Sequence, residues 1–226
     1  MLRGVMVMAQ DYTGLDGSLI RSGKHGIIGY RRGIQEAGRI AFTIAHELGH
    51  WELHPHHNQA IACTAGDIAA YKGTGMEQEA NAFAAELLMP TPMLAQSLQY
   101  ASATIQQASK VANTYGTSLT AAAIRVIELI DCPALVVLSE DNRVKWVAKS
   151  RKARPYFTVQ KGDPINDEAL AWNCLAEIDE VEPPERVKAN AWFTRDHNSY
   201  RLTVWEQSAM LGDYNLVLSV VSFDEQ

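Results

Sequence analysis

Apolar residues recur at helical spacing in the first half of the chain, whereas the second half clusters them in short Val-, Leu- and Trp-rich runs. From about Gly33 to Leu53, Ile40, Ala41, Ile44, Ala45 and Leu48 mark the buried side of a helix, and Pro55 marks its end. A second helix is predicted from about Met76 to Met89, where Pro90 stops it by removing a backbone donor. Its expected buried face is Ala80, Phe83, Ala84, Leu87 and Leu88. Before these helices, Val5 to Ala9 and Gly26 to Tyr30 have strand character. Residues 56 to 75 hold Gly66, Gly73 and Gly75 and are expected to be partly irregular. Thr104 to Asn113 and Ser118 to Ile130 predict a helix pair about Tyr115-Gly116-Thr117.

The character changes at Cys132-Pro133. Strands are expected at Ala134 to Leu138, Arg143 to Ala148, Arg201 to Trp205 and Leu216 to Val221, with a helix from Asp167 to Ile178 between them and a linker at Pro183-Pro184. The pattern predicts an α+β chain. Residues 1–131 form a helical domain with a short N-terminal sheet and a trailing helix pair, and residues 132–226 form a strand-rich accessory domain.

Composition narrows the function. With 226 residues, 47% hydrophobic and 20% charged, the chain has the make-up of a soluble globular protein. Its apolar runs are too short to cross a bilayer, and the run from Val5 stops at Gln10-Asp11, as a strand does and a signal peptide does not. The three cysteines, Cys63, Cys132 and Cys174, are odd in number and lack Cys-x-x-Cys spacing. That argues against a disulfide framework and against a cysteine metal site, so three buried thiols in a reducing cytoplasm are expected. A net charge of −6 disfavours broad nucleic-acid binding. The helix pair invites a DNA-binding reading, yet Lys110 and Arg125 are its only basic side chains from residue 101 to 130, and packing is the better account. The basic stretch from Arg143 to Arg154, with Tyr156-Phe157 after it, is expected to be solvated or paired with acidic neighbours.

The chemistry concentrates at His46-Glu47-Leu48-Gly49-His50. Residues four apart stand one above the other on a helix, so His46 and His50 present their imidazoles to one ion. Glu47 is offset by about 100°, close enough to hold a metal-bound water and take its proton as it attacks a peptide carbonyl. Gly49, within the same turn, permits close approach by another segment. A catalytic zinc ion needs a third protein ligand. His56 stands at the metzincin spacing, but Leu53 occupies the position where that arrangement needs a turning Gly. The alternative is a carboxylate in Glu77-Gln78-Glu79-Ala80-Asn81: Glu77 and Asn81 share one helical face, while Glu79 is rotated about 200° from Glu77. Glu77 would complete a His₂Glu site, with Asn81 fixing the tautomer of a ligand histidine. His56 and His57, beside Pro55, are expected to be solvated at the helix end, His25 and His197 have no identifiable partner, and Tyr71, Tyr100, Tyr115 and His54 are the candidate donors to an oxyanion.

The stretch from Arg39 through His46-Glu47-Leu48-Gly49-His50 to His54, with Glu77-Gln78-Glu79-Ala80-Asn81 and on to Pro90, resembles the ImmA/IrrE family of metallo-endopeptidases, densely over residues 36 to 92. The resemblance implies a zincin-like, gluzincin-type zinc site with ligands His46, His50 and Glu77 and base Glu47, and no use of His54 as a ligand. It further implies cleavage of a specific partner protein, often a helix-turn-helix repressor, in stress-response or mobile-element control. The rival class is a catalytically silent module that regulates a partner by association, since the strand-rich half carries no catalytic signature.

Overall fold

The helix that carries the His-Glu pattern begins four residues later than its apolar periodicity suggests. Strand pairing runs on to Arg31, and Ile34 N–H turns back to Arg31 O at 3.3 Å, so the helix, α1, spans Ala37–Leu53. The computed structural model describes residues 4–56, 61–64, 75–153, 159–193, 202–212 and 215–223. Residues Gly66, Tyr71, Gly73, Arg154, Tyr156, Phe157, His57, His197 and Arg201, which figured in the expectations above, lie outside them. The chain divides into two compact units, Met1–Thr91 with Ala112–Ser118, and Pro92–Val111 with Leu119–Gln226. Among the described residues there are five α-helices and two sheets, the α+β class expected, with a helical N-terminal part and a strand-rich C-terminal part.

In the first unit, β1 (Val5–Gln10), β2 (Gly17–Ser22), β3 (His25–Arg31) and β4 (Ile61–Cys63) form a sheet in the order β1-β3-β2-β4. β1 runs parallel to β3, and the other pairings are antiparallel. The β2–β3 loop is two residues long, with Gly23 at φ +58°, a conformation a side chain would strain. Sequence reading found β1 and β3 and missed β2, whose Gly17-Ser18-Leu19-Ile20-Arg21-Ser22 does not alternate and has Ile20 as its one β-branched residue. It also missed β4, three residues inside a Gly-bearing connection.

Two clamps hold α1 to this sheet. Asp16, just before β2 and 3% exposed, accepts from Arg31 Nε at 2.9 Å and from the guanidinium of Arg39 in the first turn of α1. At the other end, Arg21 of β2 donates to Trp51 O at 2.8 Å and stacks over the Trp51 ring at 4.0 Å. It thereby satisfies a carbonyl that the end of the helix leaves unpaired. Gly26 of β3 lies beneath that ring: a Cβ there would meet it at 2.6 Å.

The opposite contact of α1 is with α2 (Met76–Leu88). α2 buries Ala80, Asn81, Ala84 and Ala85; Phe83 is half-buried and Leu87 is 50% exposed. The buried stripe is thus rotated away from the large apolar residues expected there. The reason is close approach: a Cβ on Gly49 would lie 3.0 Å from Ala80 Cα, 3.1 Å from Ala80 O and 3.2 Å from the Phe83 ring, so no side chain fits at residue 49 and Ala80 faces it directly.

The second unit holds a five-stranded antiparallel sheet, β6-β5-β9-β8-β7, built from β5 (Ala134–Glu140), β6 (Arg143–Lys149), β7 (Glu185–Lys188), β8 (Thr203–Met210) and β9 (Leu216–Ser222). Asp141 and Asn142, both at positive φ, form the two-residue β5–β6 turn. α3 (Thr91–Leu98), α4 (Ile105–Tyr115) and α5 (Leu119–Leu129) follow α2 in the chain, and α5 packs on β5 and β6. Arg125 is 8% exposed and pairs with Glu128 at 3.4 Å, so one of the two basic side chains of the helix pair is spent on packing. Lys145 and Lys152 of the basic stretch pair with Glu140 and Asp131.

The expected helix from Asp167 to Ile178 does not form. Turns replace it, followed by a 3-10 turn at Ile178–Glu180. Ala171 N–H, which a helix would bond to residue 167, is taken by the Glu206 carboxylate at 2.8 Å, and Asn173 sits at φ +49°. Glu206, fully buried on β8, also accepts from Trp192 Nε1 at 2.8 Å and Ser208 Oγ at 2.9 Å. Burial holds its pKa above the ordinary carboxylate value, against the pull of those hydrogen bonds.

Two substitutions test this packing. Gly49→Val should destabilise the chain by about 2–3 kcal/mol in urea unfolding, because the backbone of Ala80 blocks the added methyls. Glu206→Ala should cost about 3 kcal/mol or more by the same measurement, since it leaves several buried donors unpaired.

Candidate metal centre

Because α1 and α2 approach so closely, the first turn of α2 lies over the turn of α1 that carries the two histidines. His46 and His50 are fully buried, with their Nε2 atoms 3.0 Å apart. Glu77 reaches both, Oε2 at 3.2 Å from His46 Nε2 and Oε1 at 3.4 Å from His50 Nε2. The structure brings together His46, His50 and Glu77, and adds Cys63 of β4. Its Sγ is 3.9 Å from His50 Nε2 and 4.0 Å from Glu77 Oε2, and donor atoms of all four residues lie within 4.8 Å of one another.

Each imidazole is oriented from behind. Asn81 Oδ1 lies 2.8 Å from His46 Nδ1, so that nitrogen carries the proton and Nε2 presents its lone pair to the cluster. For His50 the orientation comes through a relay. Glu79 Oε2 accepts from His54 Nε2 at 2.8 Å, which leaves His54 Nδ1 to accept from His50 Nδ1 at 3.1 Å. His50 Nε2 then also points a lone pair inward. Glu79, 63% exposed and turned away from the cluster, serves His54, a role the sequence did not suggest.

Electrostatics follow burial. His50 has its pKa lowered to about 4, by burial first and the neighbouring His46 second, which keeps its imidazole neutral near pH 7. Glu77 is held below the ordinary carboxylate value, chiefly by its close contact with the His46 imidazole. Glu47, fully buried beside the cluster, has no hydrogen-bond partner of ordinary geometry on either oxygen. Burial raises its pKa to about 7; His46 and the nearby Cys63 thiol oppose the shift, and Glu77 adds to it. The start of β2 makes room for this carboxylate, since a Cβ on Gly17 would lie 2.5 Å from Glu47 Oε1.

These donors fit a divalent cation. Two inward lone pairs 3.0 Å apart repel unless a proton or a metal lies between them. Ligands about 2.0–2.1 Å from a tetrahedral zinc would stand roughly 3.3 Å apart, near the nitrogen–nitrogen and nitrogen–oxygen separations found here. Of the residues considered as oxyanion donors, His54 has both ring nitrogens engaged and Tyr100 is 93% exposed. Tyr115 is half-buried at the end of α4, and His56 is exposed beyond α1. Sequence reasoning missed Cys63: neither its spacing from His50 nor its neighbours signal a site, and the β2–β4 pairing alone delivers it.

Two imidazoles one helical turn apart, a carboxylate from the next helix and a buried acid beside them define a metallopeptidase-like domain. Residues 2–126, more than half of the chain, match the IrrE N-terminal-like domain of a peptidase family, and the chain belongs to this ImmA/IrrE family. A search of curated protein sequences finds no match. Among solved structures the chain is similar to a Mycobacterium tuberculosis transcriptional regulator, with a TM-score of 0.60 and 12% identity over 98% of this chain and 66% of that one. That identity shows the fold alone, and the chain spans just under two thirds of that structure's length. No helix among the described residues is long and apolar enough to cross a membrane.

The contact behind His46 has a measurable consequence. Asn81→Ala should weaken zinc binding about 10–100-fold in competition with a chromophoric chelator, because the His46 ring loses its orienting partner.

Proposed function

We propose that the chain is a zinc-dependent endopeptidase that hydrolyses a peptide bond in a specific partner protein. The observation that carries this reading is the fully buried carboxylate of Glu47 beside three converging donors, His46, His50 and Glu77. These three would hold zinc, whose chemistry when bound is Lewis-acid polarisation of a carbonyl and a lowered pKa for water. Glu47 takes the proton of the attacking water and returns it to the leaving amine, roles suited to a carboxyl with a pKa of about 7. Asn81 and the His54–Glu79 pair hold the two imidazoles in the tautomer that ligation requires.

Family membership, together with the likeness to a transcriptional regulator, supports a regulatory protein substrate, and a helix-turn-helix repressor in a stress-response or mobile-element circuit is the favoured partner. Three cysteines outside any disulfide are in keeping with a cytoplasmic setting. The strand-rich residues 132–226 would recognise substrate or sense a signal.

The test is a substitution series. Glu47→Gln should keep zinc and lose at least about a hundredfold in cleavage rate, the scale of a general-base contribution. His46→Ala, His50→Ala and Glu77→Ala should lose zinc, and Glu79→Ala should retain it. Proteomic comparison of cells carrying the wild type and Glu47→Gln should reveal a new protein terminus only with the wild type. Full cleavage by purified Glu47→Gln protein would sink the mechanism. A second reading, regulation of a partner by association without cleavage, is favoured by the Cys63 donor, because four protein donors leave no open position. Equal regulation by wild type and Glu47→Gln would select it.

A further inference from the structure

We propose that Cys63 is a fourth ligand of the metal, so that the loaded chain is closed and latent and β4 is the plug that must leave before substrate enters. This rests on the zinc-site reading above and extends it. Cys63 is 1% exposed, and its Sγ approaches His50 Nε2 at 3.9 Å and Glu77 Oε2 at 4.0 Å. A tetrahedral site with Zn–S of about 2.3 Å and Zn–N of about 2.0–2.1 Å sets sulfur and nitrogen roughly 3.6 Å apart. The His50–sulfur separation needs only a small contraction, within a cluster whose four donor atoms all lie within 4.8 Å of one another.

Strand register explains why this thiol faces the histidines. Cys63 is paired directly opposite Gly17 across the antiparallel β2–β4 ladder, and opposed residues project to the same face of a sheet. Gly17 faces α1, with the Glu47 carboxylate where its side chain would be. Cys63 therefore projects towards α1 as well, and lacking a bulky neighbour at residue 17 it reaches the cluster. Asp16 N–H fixes the strand by donating to Cys63 O at 3.0 Å.

The donor set changes what the site can do. Two neutral imidazoles, a carboxylate and a thiolate balance the charge of one divalent ion and suit zinc. Ligation forms one sulfur–metal bond and releases the thiol proton to solvent, with no redox change. Catalytic zinc sites have three protein ligands and an open position; a fourth protein ligand makes a closed one. β4 is the weakest holder of that ligand: among the described residues it is three residues long, at the edge of its sheet, and paired only with β2. Withdrawing it would free the position beside Glu47 while leaving His46, His50 and Glu77 on their helices.

Cobalt substitution in the full chain tests this. Cobalt-loaded wild type should show a thiolate-to-cobalt charge-transfer band in the near ultraviolet together with tetrahedral visible bands. Cys63→Ser should lose the charge-transfer band and keep the visible ones, whereas Cys132→Ser and Cys174→Ser should keep both. In the wild type alone, zinc should protect Cys63 from iodoacetamide, read by peptide mass spectrometry, and chelation should remove the protection. That measurement holds even if the Cys63→Ser variant does not fold. Bound cobalt without the charge-transfer band, or alkylation of Cys63 at the same rate with and without zinc, would overturn the proposal. Such results would leave the peptidase reading to its Glu47→Gln test. Conversely, a Cys63-dependent band in a chain whose wild type and Cys63→Ser forms both lack Glu47-dependent cleavage supports ligation and overturns the peptidase reading. Failure to bind cobalt or zinc at all would overturn both.

Discussion

The close approach of α1 and α2 at Gly49 and Ala80 is the constraint on which the site depends. A side chain at residue 49 would meet the backbone of the second helix at about 3 Å, so the helices can nest only because one residue has no Cβ and the other has nothing more. Nesting puts the first turn of α2 over the histidine turn of α1. Glu77 then reaches both Nε2 atoms and Asn81 reaches the back of His46. A larger separation would leave the two buried imidazoles without the Glu77 carboxylate and His46 without its orienting partner.

The sheet fixes the other side of α1, and it does so with charge at both ends of the helix. Asp16 gathers Arg31 and Arg39, while Arg21 satisfies the terminal carbonyls and stacks on Trp51. Between those clamps, glycines at residues 17 and 26 bring the strands against the helix, one beside Glu47 and the other beneath Trp51. The same short distance that accommodates the Glu47 carboxylate dehydrates it, which is why its pKa rises. Position and chemical character of this acid thus have one cause.

The strand-rich unit solves a separate problem of satisfying buried polar groups. Glu206 gathers an indole, a hydroxyl and a backbone amide, and the amide it takes is one a helix would have used. A segment with apolar residues at mixed spacing therefore adopts turns. Local pattern loses to a tertiary hydrogen bond there.

By itself the sequence determined the parts that rest on local periodicity: helix α1 with His46, Glu47 and His50 on it, helix α2 with Glu77 and Asn81 on one face, four strands of the second half, and the family. Helical spacing is a short-range property, so residues four apart declare their common face without knowledge of the fold. Only the tertiary structure decided which face of α2 is buried, that Glu79 orients His50 through His54, and that Cys63 joins the cluster. Each of these depends on partners distant in the chain, brought together by helix nesting or by the β2–β4 register. A thiol on a three-residue strand carries no periodic signal that could announce its neighbours.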